Sequence, residues 1–149
     1  MVGKETIKPL GVNQAALNLK IKEGEIVALV GGGGKSTLLS ALGDVHGKGT
    51  VLTTTTKMGS DQVGNATLLI RPSKEDLVSV LSGNLPVMIW DSVDGEKAFG
   101  VDPSLPESWL PEATRIIVEA DGARRRPAKA PALYEPVLPS GVTTVIAVI

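Results

Sequence analysis

The chain has 149 residues, 42% of them hydrophobic and 21% charged, which is the length and balance of one globular domain spanning 1–149. Fifteen basic against sixteen acidic residues leave a net charge of -1, which argues against a nucleic-acid binder, and no apolar run approaches the ~18 residues of a membrane span. Cysteine is absent, which excludes disulfides, thiolate metal sites and thiol nucleophiles, so any chemistry falls to oxygen ligands, lysine, arginine and backbone amides.

Met1 to Leu10 lacks the apolar core of a signal peptide, and the cytoplasm is the expected compartment. "GVNQAALNLKI" (11–21) carries Val12, Ala15, Ala16 and Leu19 at helical spacing, and Gly24 punctuates it. "EIVALV" (25–30) is an unbroken apolar run rich in branched residues, the pattern of a strand covered on both faces. After four glycines, residues 35 to 43 place Leu38, Leu39 and Leu42 on one side of a helix that ends in the Gly43 and Gly47 region. His46, the single histidine, falls at that helix end and reads as a capping or solvent residue, because a lone histidine without partner ligands seldom holds a metal.

"TVLTTTT" (50–56) predicts a second strand and "ATLLI" (66–70) a short one. "SKEDLVSVLSG" (73–83) predicts a helix with Ser73 as its N-cap. "PVMIWD" (86–91) is a strand, and the proline-bearing stretch 92–113 reads as a loop around a short helix. "RIIVEAD" (115–121) is a buried strand ending in acids, 122–141 is irregular, and "VTTVIAVI" (142–149) is a last strand. Strands alternating with helices predict an α/β domain with a mostly parallel central sheet.

"ALVGGGGKSTLL" (28–39) approximates the phosphate-loop pattern G-x-x-x-x-G-K-[ST], with Leu29 where the first glycine would stand. That outermost position touches the phosphate least, and the remaining residues follow a buried strand and open a helix, as the motif requires. Gly31, Gly32, Gly33 and Gly34 would let backbone amides approach an anion, Lys35 would reach the terminal phosphates, and Ser36 would ligate magnesium, with Thr37 beside it. A flexible linker of four glycines is the alternative, but such linkers seldom end in Lys-Ser-Thr-Leu-Leu directly after a core strand. The run is read as a nucleotide pocket.

Ligands of open α/β sheets sit beyond the carboxyl ends of the strands. Thr53 to Thr56 end the second strand, where one hydroxyl could complete a magnesium shell or sense a γ-phosphate, although threonine also simply favours strands. Asp91 ends another strand and is as consistent with a turn as with a role. Glu119 and Asp121 lie two apart on the third, so their side chains should face the same side, and one would hold magnesium opposite Ser36. "ARRRPAK" (123–129) carries four basic residues in seven, either a solvated face or a clamp on phosphates or an anionic second substrate.

Taken together, "ALVGGGGKSTLL", "VLTTTTKM", "KAFGVDP" and "VEADGARRRPAKAPALYEPVLP" resemble, in order and spacing, the YqeC family, whose members are described as selenium-cofactor biosynthesis proteins or accessory proteins of selenium-dependent molybdenum hydroxylases. The resemblance implies a three-layer fold like that of phosphate-loop NTPases of the dimerising kind that includes nitrogenase iron protein and metallochaperone GTPases. By motif, Gly31 to Ser36 would bind the phosphates of ATP or GTP with Mg2+, Thr54, Thr55 and Thr56 would form a switch-like loop, and Glu119 and Asp121 the acidic motif. Arg124, Lys129 and Glu135 lie in the family block without an assigned role. Implied partners are the nucleotide and a molybdenum hydroxylase or cofactor-assembly protein, with a homodimer left open.

Two departures matter. Family members continue past the strand that "VIAVI" begins, so the chain reads as a truncated or short form lacking further elements on that side of the sheet. The second lysine that dimerising relatives carry early in the loop is Val30 here, which removes a mechanism that inserts it across a dimer. The reading is a magnesium-dependent NTPase or phosphoryl transferase in selenium or molybdenum cofactor maturation. Its rivals are a module that retains nucleotide without turnover and a small-molecule kinase using 92–113 as an acceptor lid.

Overall fold

Runs of branched aliphatic residues without polar alternation can be satisfied only if both faces of their strands are covered, and the chain builds its centre from such runs. The structure, a computed structural model, describes residues 11–122 and 135–149. Six strands form one wholly parallel sheet: β1 (Ile26–Gly31), β2 (Thr50–Thr54), β4 (Thr67–Ile70), β5 (Val87–Trp90), β8 (Arg115–Glu119) and β9 (Thr144–Val148). Their spatial order is β4-β5-β2-β8-β1-β9.

Alternation along each strand divides the core. Val27, Leu29, Leu52, Met88, Trp90 and Ile117 point to one face, where Ala16 of α1 (Val12–Asn18) and Leu39, Ala41 and Leu42 of α2 (Lys35–His46) cover them. Ile26, Val51, Val87, Ile89, Ile116 and Val118 point to the other, under Leu77 and Leu81 of α3 (Lys74–Leu81) and Trp109, which closes the four-residue α4 (Leu105–Ser108). Helices therefore lie on both faces of the sheet, the three-layer arrangement expected. Each fully buried Leu or Ile contributes about 1.5–3 kcal/mol relative to exposure, so these two apolar layers hold the sheet to its helices. Among the described residues no helix is long and apolar enough to cross a membrane.

Local chemistry explains the ends of the elements. Ser73 accepts from the Asp76 N–H at 3.1 Å while the Asp76 carboxylate accepts from the Ser73 N–H at 3.2 Å, a reciprocal cap that starts α3. α2 ends in the expected Gly43 and Gly47 region, and Gly43 packs inside the layer, where a Cβ would sit 2.6 Å from a Leu52 methyl. The helix stops at Gly47, whose φ of +58° a side chain would disfavour.

The stretch 92–113 departs from the expected loop. β6 (Ser92–Asp94) and β7 (Lys97–Phe99) form a hairpin joined by Gly95 and Glu96, and β7 pairs with β3 (Lys57–Gly59) to complete a three-stranded antiparallel sheet. The physical reason is the Asp-Gly step, with Gly95 at φ +55° supplying the tight reversal that two short strands need. The α4 turn appears where the short helix was expected. Gly100 then lies directly on the end of β2: its N–H donates to Thr56 O at 2.6 Å, and a Cβ would come within 2.5–2.6 Å of backbone atoms of residues 54–56.

Because backbone cannot yield as a side chain can, Gly100→Ala should lower the unfolding free energy by roughly 2–3 kcal/mol, read as a reduced urea midpoint at unchanged slope. Gly95→Ala, which meets no atom within 4 Å but has to adopt a positive φ, should cost less.

Candidate functional site

The glycine run forms a tight loop between β1 and α2. Gly31 (φ +110°) ends β1, Gly34 (φ +97°) caps α2, and both conformations disfavour a side chain. At Gly31 a Cβ would also collide with the carbonyl oxygen of Val148 on the neighbouring strand, 2.2 Å away. The Gly32 N–H donates to that same carbonyl at 2.8 Å, so β9 braces the start of the loop.

Gly34 offers α2 no capping side chain. Among the described residues, the N–H groups of Gly33, Gly34, Lys35, Ser36 and Thr37 donate no hydrogen bond. Five amides at the positive end of a 12-residue helix thus remain free to meet an anion.

Lys35 opens the helix and is 2% exposed. Its ammonium donates to Gly31 O at 2.8 Å and Gly32 O at 2.9 Å and pairs with Asp121 Oδ1 at 2.8 Å. The second Asp121 oxygen, Oδ2, accepts from the Gly31 N–H at 2.9 Å. The ammonium is therefore held by hydrogen bonds to two loop carbonyls and by an ion pair, and Asp121 grips both the loop's main chain and its lysine.

Glu119 takes a different partner. Its Oε2 accepts from Ser36 Oγ at 3.0 Å, and the residue is 5% exposed. Burial pushes its pKa up, while the Ser36 hydroxyl and the Lys35 charge pull it down and Asp121 adds to the rise. Both acids face the α2 side of the sheet, as their spacing requires, but they divide between the two functional groups of the loop.

The threonines close the β2 end. Thr54 Oγ1 donates to Glu119 O at 2.9 Å, Thr55 Oγ1 to Val137 O at 2.6 Å and Thr53 Oγ1 to Ile89 O at 2.6 Å, and Thr56 Oγ1 lies 3.3 Å from Thr54 Oγ1. They stand beside the acidic strand, since Thr54 is in register with Glu119, yet the hydroxyls of Thr53, Thr54 and Thr55 are engaged with main-chain carbonyls. Glu135 accepts from the Gly122 N–H at 3.2 Å, and the Val137 N–H donates to Ala120 O at 2.7 Å, so the segment after 134 lies along the end of β8.

Other candidates fall elsewhere. Asp91 makes a bidentate pair with Arg71 at 2.9 Å for each contact, on an exposed corner at the ends of β4 and β5. His46 is half-buried rather than solvated, and burial next to Arg115 pushes its pKa down. Arg124, Lys129 and the rest of the basic run lie outside the described residues. Among the described residues no three His, Cys, Asp or Glu side chains cluster as a metal cage.

Sequence reasoning missed Gln62, whose Oε1 lies 3.3 Å from Ser36 Oγ and accepts from the Gly59 N–H at 2.9 Å. Its position, in an irregular stretch between two short strands, carried no signal. It also lines a groove of about 350 Å³ with Ser36, Thr37, Ser40, Asp44 and Asp61.

A family model described as "YqeC protein" matches residues 27–149. The chain is 32% identical over 137 residues to an "Uncharacterized protein YqeC" of Escherichia coli (strain K12), covering 85% of this chain and 52% of that protein. The chain thus spans about half the length of the curated relative it matches. No solved structure matches.

A carboxyl with a raised pKa stabilises the fold most when protonated and loses that contribution as pH rises through the folded-state pKa. Glu119→Gln should therefore raise the melting temperature at neutral pH in EDTA, and the gain should shrink on acidification toward the ordinary carboxylate range. Asp121→Ala, which strands a buried ammonium, should instead cost about 3–5 kcal/mol in chemical denaturation.

Proposed function

The chain belongs to the YqeC family, and on that premise we propose that it is a magnesium-dependent nucleotide-binding protein, an NTPase or phosphoryl transferase serving the maturation of a selenium- or molybdenum-containing cofactor of a hydroxylase. The observation that carries the reading is a buried lysine ammonium held at the mouth of a glycine loop, next to five amides that donate no hydrogen bond among the described residues. Such an array suits a ligand with several negative oxygens, and a polyphosphate is the common cellular ligand of that kind.

Each residue has a role in this reading. The amides of residues 33–37 would surround the phosphates. Lys35 would exchange one of its carbonyl contacts for a β- or γ-phosphate oxygen, and Asp121 would keep the ammonium oriented during the exchange. The donor set beside it fits magnesium: a hydroxyl and a buried carboxylate, both oxygen, with no nitrogen or sulfur ligand. Ser36 and Glu119 would hold the ion, which would supply charge neutralisation between the phosphates. The geometry favours Glu119 over Asp121 for this, because Asp121 is occupied by Lys35 and Gly31. With no cysteine in the chain, selenium could not ride on one of its thiols, so the contribution to cofactor assembly would be phosphate chemistry or an NTP-driven change of shape.

A second reading, retention of nucleotide without turnover, is favoured by one observation. The hydroxyls of Thr54 and Thr55 are directed at the carbonyls of Glu119 and Val137, not toward the loop. The acceptor lid of a small-molecule kinase is less favoured, since 92–99 is tied into the antiparallel sheet.

Calorimetric titration with ATP and GTP in magnesium tests the proposal. A ligand present at one hundred times its Kd should stabilise the fold by about 2.7 kcal/mol. Lys35→Ala should weaken binding at least tenfold, about 1.4 kcal/mol; an unchanged affinity would remove the phosphate role of the loop. Phosphate release, measured with and without a molybdenum hydroxylase, separates turnover from retention.

A further inference from the structure

Gln62 stands outside the glycine-loop, threonine and acidic motifs, yet its amide oxygen enters the same small space as Ser36 Oγ. The orientation of that amide is fixed. The Gly59 N–H donates to Oε1 at 2.9 Å, so the oxygen, not the nitrogen, faces the serine. The Gln62 N–H returns to Gly59 O at 3.1 Å, which closes a rigid turn around the side chain. Flipping the amide would set an NH2 group against the Gly59 N–H.

Three oxygens from three separate elements therefore gather here: Ser36 Oγ from α2, Glu119 Oε2 from β8, 3.0 Å away, and Gln62 Oε1 from the turn after β3, 3.3 Å away. With Glu119 ionised, the donors to the group are the Ser36 hydroxyl and the Gly59 N–H that reaches Gln62 Oε1. Ser36 can donate its one proton to only one of the two oxygens that face it. A hydroxyl, a carboxylate and an amide carbonyl gathered around one atom form an all-oxygen set of the kind that a hard divalent cation takes. Magnesium rarely requires a cage made wholly of protein. It is commonly held by one or two protein oxygens with phosphates and water, which agrees with a cluster that contains one carboxylate.

We infer that Gln62 is a positioning residue for the divalent cation, its carbonyl oxygen joining those of Ser36 and Glu119 and linking the ion site to the β3 turn. This rests on the nucleotide reading given above. Through Gly59, the last residue of β3, the same side chain connects the cation site to the antiparallel sheet whose other end, at Gly100, packs on residues 54–56.

Mn2+ binding followed by electron paramagnetic resonance, on the full chain with ATP or GTP added, tests the inference, with nucleotide affinity in EDTA as a separate readout. Gln62→Met, which keeps the length but removes the oxygen, should raise the Mn2+ Kd about tenfold, whereas Gln62→Glu should not raise it and nucleotide affinity in EDTA should stay within about twofold for both. A purely structural glutamine would lower the melting temperature without this cation-specific split. If Gln62→Met leaves the Mn2+ Kd unchanged while Ser36→Ala raises it, the inference on Gln62 is overturned and the nucleotide reading stands. If wild type binds nucleotide in neither magnesium nor EDTA, that reading fails first. Should the Met variant not fold, Gln62→Asn, which withdraws the amide by one methylene, carries the same expectation and the same refutation.

Discussion

One buried charge organises the end of the sheet. The Lys35 ammonium sits almost out of water, and a cation there is tolerated only because two loop carbonyls and the Asp121 carboxylate surround it. That requirement fixes several elements at once. The loop must curl so that two successive carbonyls face its own helix. β8 must lie beside β1 so that an acid two residues past its buried run reaches the loop. The sheet order, with β8 between β2 and β1, meets that demand.

The two acids of the β8 end show how one strand can serve two tasks. Alternation puts Glu119 and Asp121 on the same side, but the advance of two residues carries them to different neighbours. Asp121 reaches the loop's main chain and lysine, and its charge is balanced there. Glu119 stops short at Ser36, is buried, and is held with its pKa raised. A carboxylate kept partly uncompensated costs stability, a sign common to groups retained for binding.

Much of this was legible because the signals were local. The buried runs at 25–30 and 115–121, the capping pair Ser73 and Asp76, and the glycine-lysine-serine junction each encode their structure within a few residues, and the parallel sheet follows from their alternation with helices. The antiparallel sheet was not read, although Asp94-Gly95 between short alternating segments is a hairpin signal, because its third strand lies some forty residues earlier, at Lys57–Gly59. The division of labour between the acids depends on distances of a few ångströms that spacing alone leaves open. Gln62 was invisible for a related reason: glutamine in a turn is ordinary until its neighbour across the fold is known. For the same kind of reason the engaged hydroxyls of Thr54 and Thr55 could not be told from free ones.

The brace on the glycine loop carries a consequence for how the molecule is made. β1 is made before both of its neighbours in the sheet, β8 and β9, and contacts such as that between Ile26 and Thr143 join residues 117 positions apart. Gly31 and Gly32 reach their final shape only against Val148. On the ribosome the loop would therefore remain unsculpted until Val148 had left the exit tunnel.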